Sequence, residues 1–337
     1  MRRSISIVAA ILATGTLAAA GCGTTSENSG GAGGGQAATA KACKGPNHHY
    51  LIGMSQANLA EPYRVRMDDD IRAAVAKVPQ FSVEFSDAAQ DNSKQVTDVE
   101  TFLTKQIDLL IISPNEATPL TSVVAKAYNK GIPVIVLDRK VDGSAYSTFI
   151  GANNVDIGRQ AGQYVAKTLL PQGGKVVELS GLPGSTPAQE RGEGFRQGIA
   201  GSKVQIIDSQ AADWLRDKAR EKFDAILKTQ PKIDVLYSQN DPMAEGAYIA
   251  AQDAGRAQDI KFIGTDALPV PSGGIKSVEQ GRITATFRYP TGGPEAIEAA
   301  KKLLISCQSV SKTQTLPTEL ITKQNAAAVY LRENGHN

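Results

Sequence analysis

The chain has few of the residues on which most enzyme chemistry depends. Three histidines occur among 337 residues, His48, His49 and His336, and three cysteines, Cys22, Cys43 and Cys307. Two of the histidines precede the first strand-like run and the third closes the chain. None stands at a strand end, which removes support for Ser-His or Cys-His catalysis. There is no Cys-x-x-Cys and no Cys/His group with zinc spacing, so no metal site is expected. Asp68-Asp69-Asp70 lacks the spaced ligands and the glycine of a calcium loop and reads as a solvated helix face. Nucleotide signatures are missing as well: no Gly-x-Gly-x-x-Gly follows the first strand, there is no Walker loop, and no Gly-x-Ser-x-Gly elbow occurs. Gly181-Leu182-Pro183-Gly184-Ser185 is glycine-rich but lacks the lysine of a nucleotide loop. No cofactor is therefore expected. Neither sign of charge is in excess: 36 Lys and Arg face 34 Asp and Glu, and Arg2 and Arg3 supply the surplus of +2. A body so close to neutral has no basic field for nucleic acid.

What is present begins with an export pattern. Arg2 and Arg3 are followed by a mostly apolar stretch, Ile5 to Leu17, and then by small residues up to Cys22. Positive, apolar and small in that order is the layout of a secretory signal. The apolar part is broken by Ser6, Thr14 and Thr16 and falls short of the roughly 20 residues that span a bilayer. Cys22, directly after Ala19-Ala20-Gly21, resembles the lipid-attachment site of bacterial lipoproteins, although Ala19 stands where those signals usually carry Leu. The expectation is a signal peptide over 1–21 and a lipid anchor at Cys22 on the outer face of the cell membrane. Residues 22–43 are rich in Gly, Ser, Thr and Ala and read as a flexible tether. The remainder is long enough for two domains, and 41% apolar with 21% charged residues suits a soluble globular body.

Short apolar runs alternate with helix-length amphipathic runs. Tyr50–Met54, Phe81–Phe85, Leu109–Ile112 and Pro133–Leu137 read as strands, with helical patterns at Arg64–Val78 and around Val96, Val99, Phe102 and Leu103. The alternation restarts after residue 150. Strands are expected at Lys175–Leu179, Val204–Ile207, Ile233–Tyr237, Ile260–Ile263 and Ile283–Phe287, and helices at Ile157–Leu170, Ala188–Ile199, Trp214–Leu227 and Met243–Ala254. This is an α/β pattern of two doubly wound parallel-sheet domains. Ligands of such sheets bind beyond the carboxyl ends of the strands. Those positions hold Ser55-Gln56, Asp87, Ser113-Pro114, Asp138-Arg139, Ser180-Gly181, Asp208, Asn240-Asp241 and Asp266. The set is polar and of mixed charge, with no reactive constellation in it.

Several segments, in shared order, resemble the type I periplasmic sugar-binding proteins of ABC importers, of the ribose- and galactofuranose-binding kind. They are Gly53-Met54-Ser55-Gln56, Glu61-Pro62-Tyr63-Arg64, Pro133 to Arg139, Ala188 to Phe195, Ser209 to Trp214, Ser238 to Ala244, Gly264-Thr265-Asp266 and Tyr289 to Gly293. The resemblance implies two lobes joined by a three-strand hinge, one of 44–150 plus 289–318 and one of 151–288 plus 319–337. It also implies ligand contacts at Gln56, Glu61, Tyr63, Arg64, Asp138, Arg139, Arg191, Trp214, Asn240 and Asp266, with Tyr63 and Trp214 as stacking rings. Glu61 stands where ribose binders carry Asn, which argues against ribose. Where they have a Gln at the hinge this chain has Phe287-Arg288-Tyr289, and Arg288 is the candidate contact. Chemistry agrees with these types: carboxylates accept from sugar hydroxyls, arginine forks donate to them, and C–H faces pack on rings.

Local readings compete. Asp138-Arg139 suits a surface turn, Trp214 a core ring, and Arg191 a pair with Glu190 or Glu193. On the resemblance the expected function is a lipid-anchored receptor that captures a monosaccharide or polyol and delivers it to an ABC permease, and it is not an enzyme. A sugar sensor that presents its closed form to a membrane kinase or chemoreceptor is the alternative. A repressor would need a DNA-binding helix pair where the tether stands. The implied fold also places Cys43 and Cys307 together, on the face of the first lobe far from the ligand, as a disulfide.

Overall fold

A computed structural model describes residues 42–335. The signal, Cys22 and most of the tether lie outside the described residues. Two six-stranded sheets carry the fold. The first contains β1 (Tyr50–Gln56), β2 (Phe81–Asp87), β3 (Leu109–Ile112), β4 (Val134–Leu137), β5 (Thr148–Ala152) and β11 (Thr313–Leu316) in the order β11-β5-β4-β3-β1-β2. Every pairing in it is parallel. The second contains β6 (Gly174–Ser180), β7 (Val204–Ala211), β8 (Val235–Ser238), β9 (Lys261–Ile263), β10 (Ala285–Arg288) and β12 (Glu319–Thr322) in the order β12-β10-β9-β8-β6-β7. Only β12 is antiparallel there. The inner strands β3 and β4 are buried throughout and made of Leu, Ile and Val, as expected of sheets covered on both faces.

The first sheet carries α1 (Pro62–Val75), α2 (Asn92–Thr104), α3 (Ala117–Asn129) and α9 (Gly293–Leu304). The second carries α4 (Asn154–Tyr164), α5 (Thr186–Ile199), α6 (Arg216–Thr229), α7 (Asp241–Asp253), α8 (Gly274–Glu279) and α10 (Ala326–Glu333). One turn of π-helix, Val165–Leu169, follows α4. The chain passes between sheets after Ala152, between Arg288 and Gly293, and between Leu316 and Glu319. Both sheets therefore turn their carboxyl ends toward one interlobe cleft. At the opposite end of the first sheet, Cys43 is disulfide-bonded to Cys307, with Cα atoms 5.4 Å apart. Lys44 N–H beside it donates to the Tyr50 hydroxyl at the start of β1.

The lobes meet across the cleft. Ala117 N–H donates to Gly184 O at 3.0 Å, and Lys140 N–H donates to Thr186 Oγ1 at 2.9 Å. Lys140 Nζ lies 2.5 Å from Glu190 Oε1, and Gln90 Nε2 donates to Asp213 O at 3.2 Å. This is a closed arrangement.

Candidate functional site

Between the lobes lies a narrow cavity. The first lobe contributes Glu61, Tyr63 and Arg64 from the entry to α1, and Asp138 and Arg139 from the end of β4. The second contributes Pro187 and Arg191 from α5, Trp214, Asn240 and Asp266, with Tyr289 from the crossing after β10.

Local sequence explains the placement. Pro62 opens α1 with Glu61 as its N-cap residue, which sets Tyr63 and Arg64 in the first turn at the cleft. Asn240 caps α7, its Oδ1 accepting from Met243 N–H at 2.9 Å while Nδ2 donates to Trp214 O at 3.1 Å. Asp138, Trp214 and Asp266 all have positive φ, of 67°, 71° and 124°. For a residue as bulky as Trp that conformation is an outlier, and such strain concentrates at functional sites. Gly181 permits it, since a Cβ there would sit 2.1 Å from the Trp214 ring. Close approach also places Arg191: a Cβ on Gly158 of α4 would meet Arg191 O of α5 at 2.2 Å.

The charges are buried and interlocked. Arg64, Arg139 and Arg191 are each at most 3% exposed. Arg64 Nη1 donates to Asp138 Oδ2 at 2.7 Å and to Ser113 Oγ at 2.6 Å. Arg139 Nη2 donates to Glu61 Oε1 at 3.2 Å and Nη1 to Asn115 O at 3.0 Å. Arg191 has neutral acceptors instead, Asn154 Oδ1 at 2.9 Å and Gln239 O at 2.5 Å. Its guanidinium lies over the Tyr289 ring at 4.4 Å and the Trp214 ring at 5.5 Å. Burial opposes ionisation of Asp138, but Arg64 and Arg139 beside it hold its carboxyl below the usual range. Burial and the neighbouring Arg64 cation lower Arg139 to about 10. Burial and the adjacent Asp241 carboxyl push Asp266 well above the usual range.

Eight buried side-chain polar atoms among the described residues have no hydrogen-bond partner, and four of them belong to cavity residues. These are Arg64 Nε, Arg139 Nε, Trp214 Nε1 and Asp266 Oδ2. Buried polar groups are nearly always satisfied, so three donors and one carboxyl oxygen left unmatched on residues of one cavity are unusual.

Residues 52–306 match the profile of a family described as the periplasmic binding protein domain. The chain belongs to the periplasmic binding protein family. It is 32% identical to a ribose import binding protein of Bacillus subtilis over 282 residues, covering 83% of this chain and 90% of that one. Against the galactofuranose-binding protein of Escherichia coli it is 29% identical over 227 residues, 65% of this chain and 71% of the other. Among solved structures, the fructose-binding periplasmic domain of a hybrid two-component system superposes with a TM-score of 0.82 at 41% identity, covering 85% and 95% of the two chains. A Mycobacterium smegmatis protein in complex with β-D-fucofuranose gives 0.79 at 31% identity, covering 85% and 95%. The fold is that of the type I periplasmic binding proteins, and its relatives are extracytoplasmic sugar-binding proteins. No helix among the described residues is long and apolar enough to cross a membrane.

Within this periplasmic binding protein, nine of the eleven residues implied by the resemblance line the cavity: Glu61, Tyr63, Arg64, Asp138, Arg139, Arg191, Trp214, Asn240 and Asp266. Gln56 does not. Its Nε2 donates to Asp68 Oδ1 at 2.8 Å, beneath the site. Arg288 does not either, because its side chain runs outward to Glu333 Oε1 at 2.8 Å and to Pro317 O at 3.3 Å. Its neighbour Tyr289 takes the cavity position and donates to Asp138 Oδ1 at 2.5 Å. Asn154, behind Arg191, was not legible as a site residue. It reads as an ordinary polar residue at a helix start.

Proposed function

We propose that this protein captures one monosaccharide or polyol between its lobes outside the cytoplasm and hands it to an ABC permease. Four buried polar atoms without a hydrogen-bond partner, all on residues that line the cavity, carry this reading. A sugar offers hydroxyls that donate and accept together, which suits three donors beside a carboxyl oxygen. Glu61 and Asp138 offset Arg139 and Arg64, while Arg191 has neutral acceptors, so acidic sugars belong in the panel beside neutral ones. Trp214 and Tyr63, from opposite lobes, offer ring faces for the sugar's C–H surface. Fucofuranose and galactofuranose binders among the relatives put furanose forms into the panel to be tested. No bond is made or broken; binding favours the closed form through contacts available only there. Cys22 as lipid anchor and 22–43 as tether would hold the body at the outer membrane face. Cys22→Ser should release it from the membrane fraction.

Isothermal titration with monosaccharides and polyols tests the binding, and reconstitution with the cognate permease tests delivery. The sensor reading keeps one specific support, the likeness to a sugar-binding domain of a hybrid two-component system. Ligand-dependent transport by a reconstituted permease favours import, and ligand-dependent phosphorylation of a membrane kinase favours sensing.

A further inference from the structure

Tyr289 occupies the second passage between the lobes, and Asn154 opens α4 directly after the first. The two side chains meet inside the hinge. Asn154 Nδ2 donates to the Tyr289 hydroxyl at 3.3 Å, and that hydroxyl donates to Asp138 Oδ1 at 2.5 Å. On one side the chain of bonds continues from Asn154 Oδ1 to Arg191 Nε and from Arg191 Nη1 to Gln239 O. On the other it continues from Asp138 Oδ2 to Arg64 Nη1 and on to Ser113. The relay thus begins at the end of β8 in one lobe and finishes at the end of β3 in the other, and four of its members, Arg191, Tyr289, Asp138 and Arg64, line the ligand cavity. All seven side chains or backbone groups are buried. Burial and the Asp138 charge keep the Tyr289 phenol protonated, and so able to donate.

We propose that Tyr289 is a positioning residue. Its hydroxyl, held by Asn154, fixes Arg191 of one lobe relative to Asp138 and Arg64 of the other, so that both halves of the site meet the ligand in one register. The assignment rests on the sugar-site reading of the cavity. Tyr289→Phe removes only the hydroxyl and retains the ring under Arg191, and Asn154→Ala breaks the relay one step earlier.

The full chain, both single variants and the double variant are titrated with D-fructose, D-ribose and D-galactose, following the emission of Trp214, the only tryptophan in the chain. Each single variant should bind at least about tenfold more weakly, the size of a lost hydrogen bond to a charged group. The double variant should be no weaker than the worse single one, because the two residues act in one relay. Ligand-free melting of Tyr289→Phe should stay within about 4 °C of the parent, the size of about 1 kcal/mol, which separates positioning from a general loss of structure. Unchanged binding by Tyr289→Phe, or losses that multiply, overturns the assignment. Should the parent bind none of the three sugars, the sugar reading weakens independently and the relay is judged on Asp138 by carboxyl NMR titration. Asn154 does not touch Asp138, yet Asn154→Ala should raise the Asp138 midpoint; an unmoved midpoint removes the relay.

Discussion

Arg64 and Asp138 stand 2.7 Å apart with both side chains buried at the mouth of the first lobe's sheet. Arg64 comes from the first turn of α1 and Asp138 from the end of β4, so the pair fastens two elements that share no backbone bonds. Removing one partner leaves the other as an uncompensated buried charge. Asp138→Asn keeps the shape and removes the charge. It should weaken sugar binding by about 1.5–3 kcal/mol, or roughly 10- to 150-fold, measured by calorimetry. Asp138→Ala should abolish measurable binding and also lower the melting temperature.

Closure has its own determinants. Gly184 faces Glu116 across the cleft, and a Cβ there would fall 2.0 Å from Glu116 Oε1. Rotation of the flexible Glu116 side chain can absorb a single methyl, so the test uses a larger group: Gly184→Phe should hold the lobes apart without touching either core. Ligand affinity should fall while ligand-free melting is unchanged, and small-angle scattering with saturating sugar should show a larger radius of gyration than the parent's. Lys140→Ala, which removes the half-exposed bond to Glu190 and a cation over the Phe149 ring, should cost less than about 1 kcal/mol.

Stability should decline with rising pH through a buried acid pair. Burial, outweighing hydrogen bonds from Thr286 and Ala267, lifts Asp241 from 3.8 to about 7, and Asp266 is displaced in the same direction. A carboxyl that holds its proton more firmly folded than unfolded adds stability that is complete below the unfolded value. That stability is lost as the pH climbs through the folded one. Asp241→Asn removes the Asp241 part of this slope, because an amide can still accept from Ala267 and donate to Thr286. In urea titrations the variant should gain on the parent between about pH 4 and pH 8, by on the order of 1–3 kcal/mol. A constant difference across that range would show that Asp241 does not titrate there.

The Cys43–Cys307 bond closes a loop with a sequence separation of 264 at the end of the lobe away from the cleft. Replacing both by Ser should cost about 2–5 kcal/mol of stability. Sugar affinity should be unchanged, because no cavity residue lies near the bond. A parallel loss of affinity would mean that the far face of the lobe is coupled to the cleft.

Sequence periodicity reached the two-sheet architecture because the inner strands are short, fully buried runs such as Leu109–Ile112 and Val134–Leu137. It ended strand β7 at Ile207 and began the next helix at Trp214. The strand runs to Ala211 and the helix starts at Arg216, which leaves Trp214 on a left-handed turn at the cavity. Three consecutive polar residues, Asp208, Ser209 and Gln210, masked that extension. At the hinge the sequence offers Arg288 as the candidate contact, one residue before the residue that lines the cavity. Phe287 and Tyr289 face inward with Arg288 turned out between them, and a shift of one in an extended segment reverses the face. Asn154 carried no signal of its own. Its role depends on how closely α4 and α5 approach at Gly158, a tertiary fact with no local pattern.

The central claim, that the interlobe cavity is a sugar site, is tested most directly by calorimetric titration of the purified chain with monosaccharides and polyols, furanose-forming sugars included. The account predicts at least one ligand with micromolar or tighter affinity, bound one to one, and lost in Asp138→Ala. Absence of any ligand tighter than millimolar, or tight binding that survives Asp138→Ala, would contradict it.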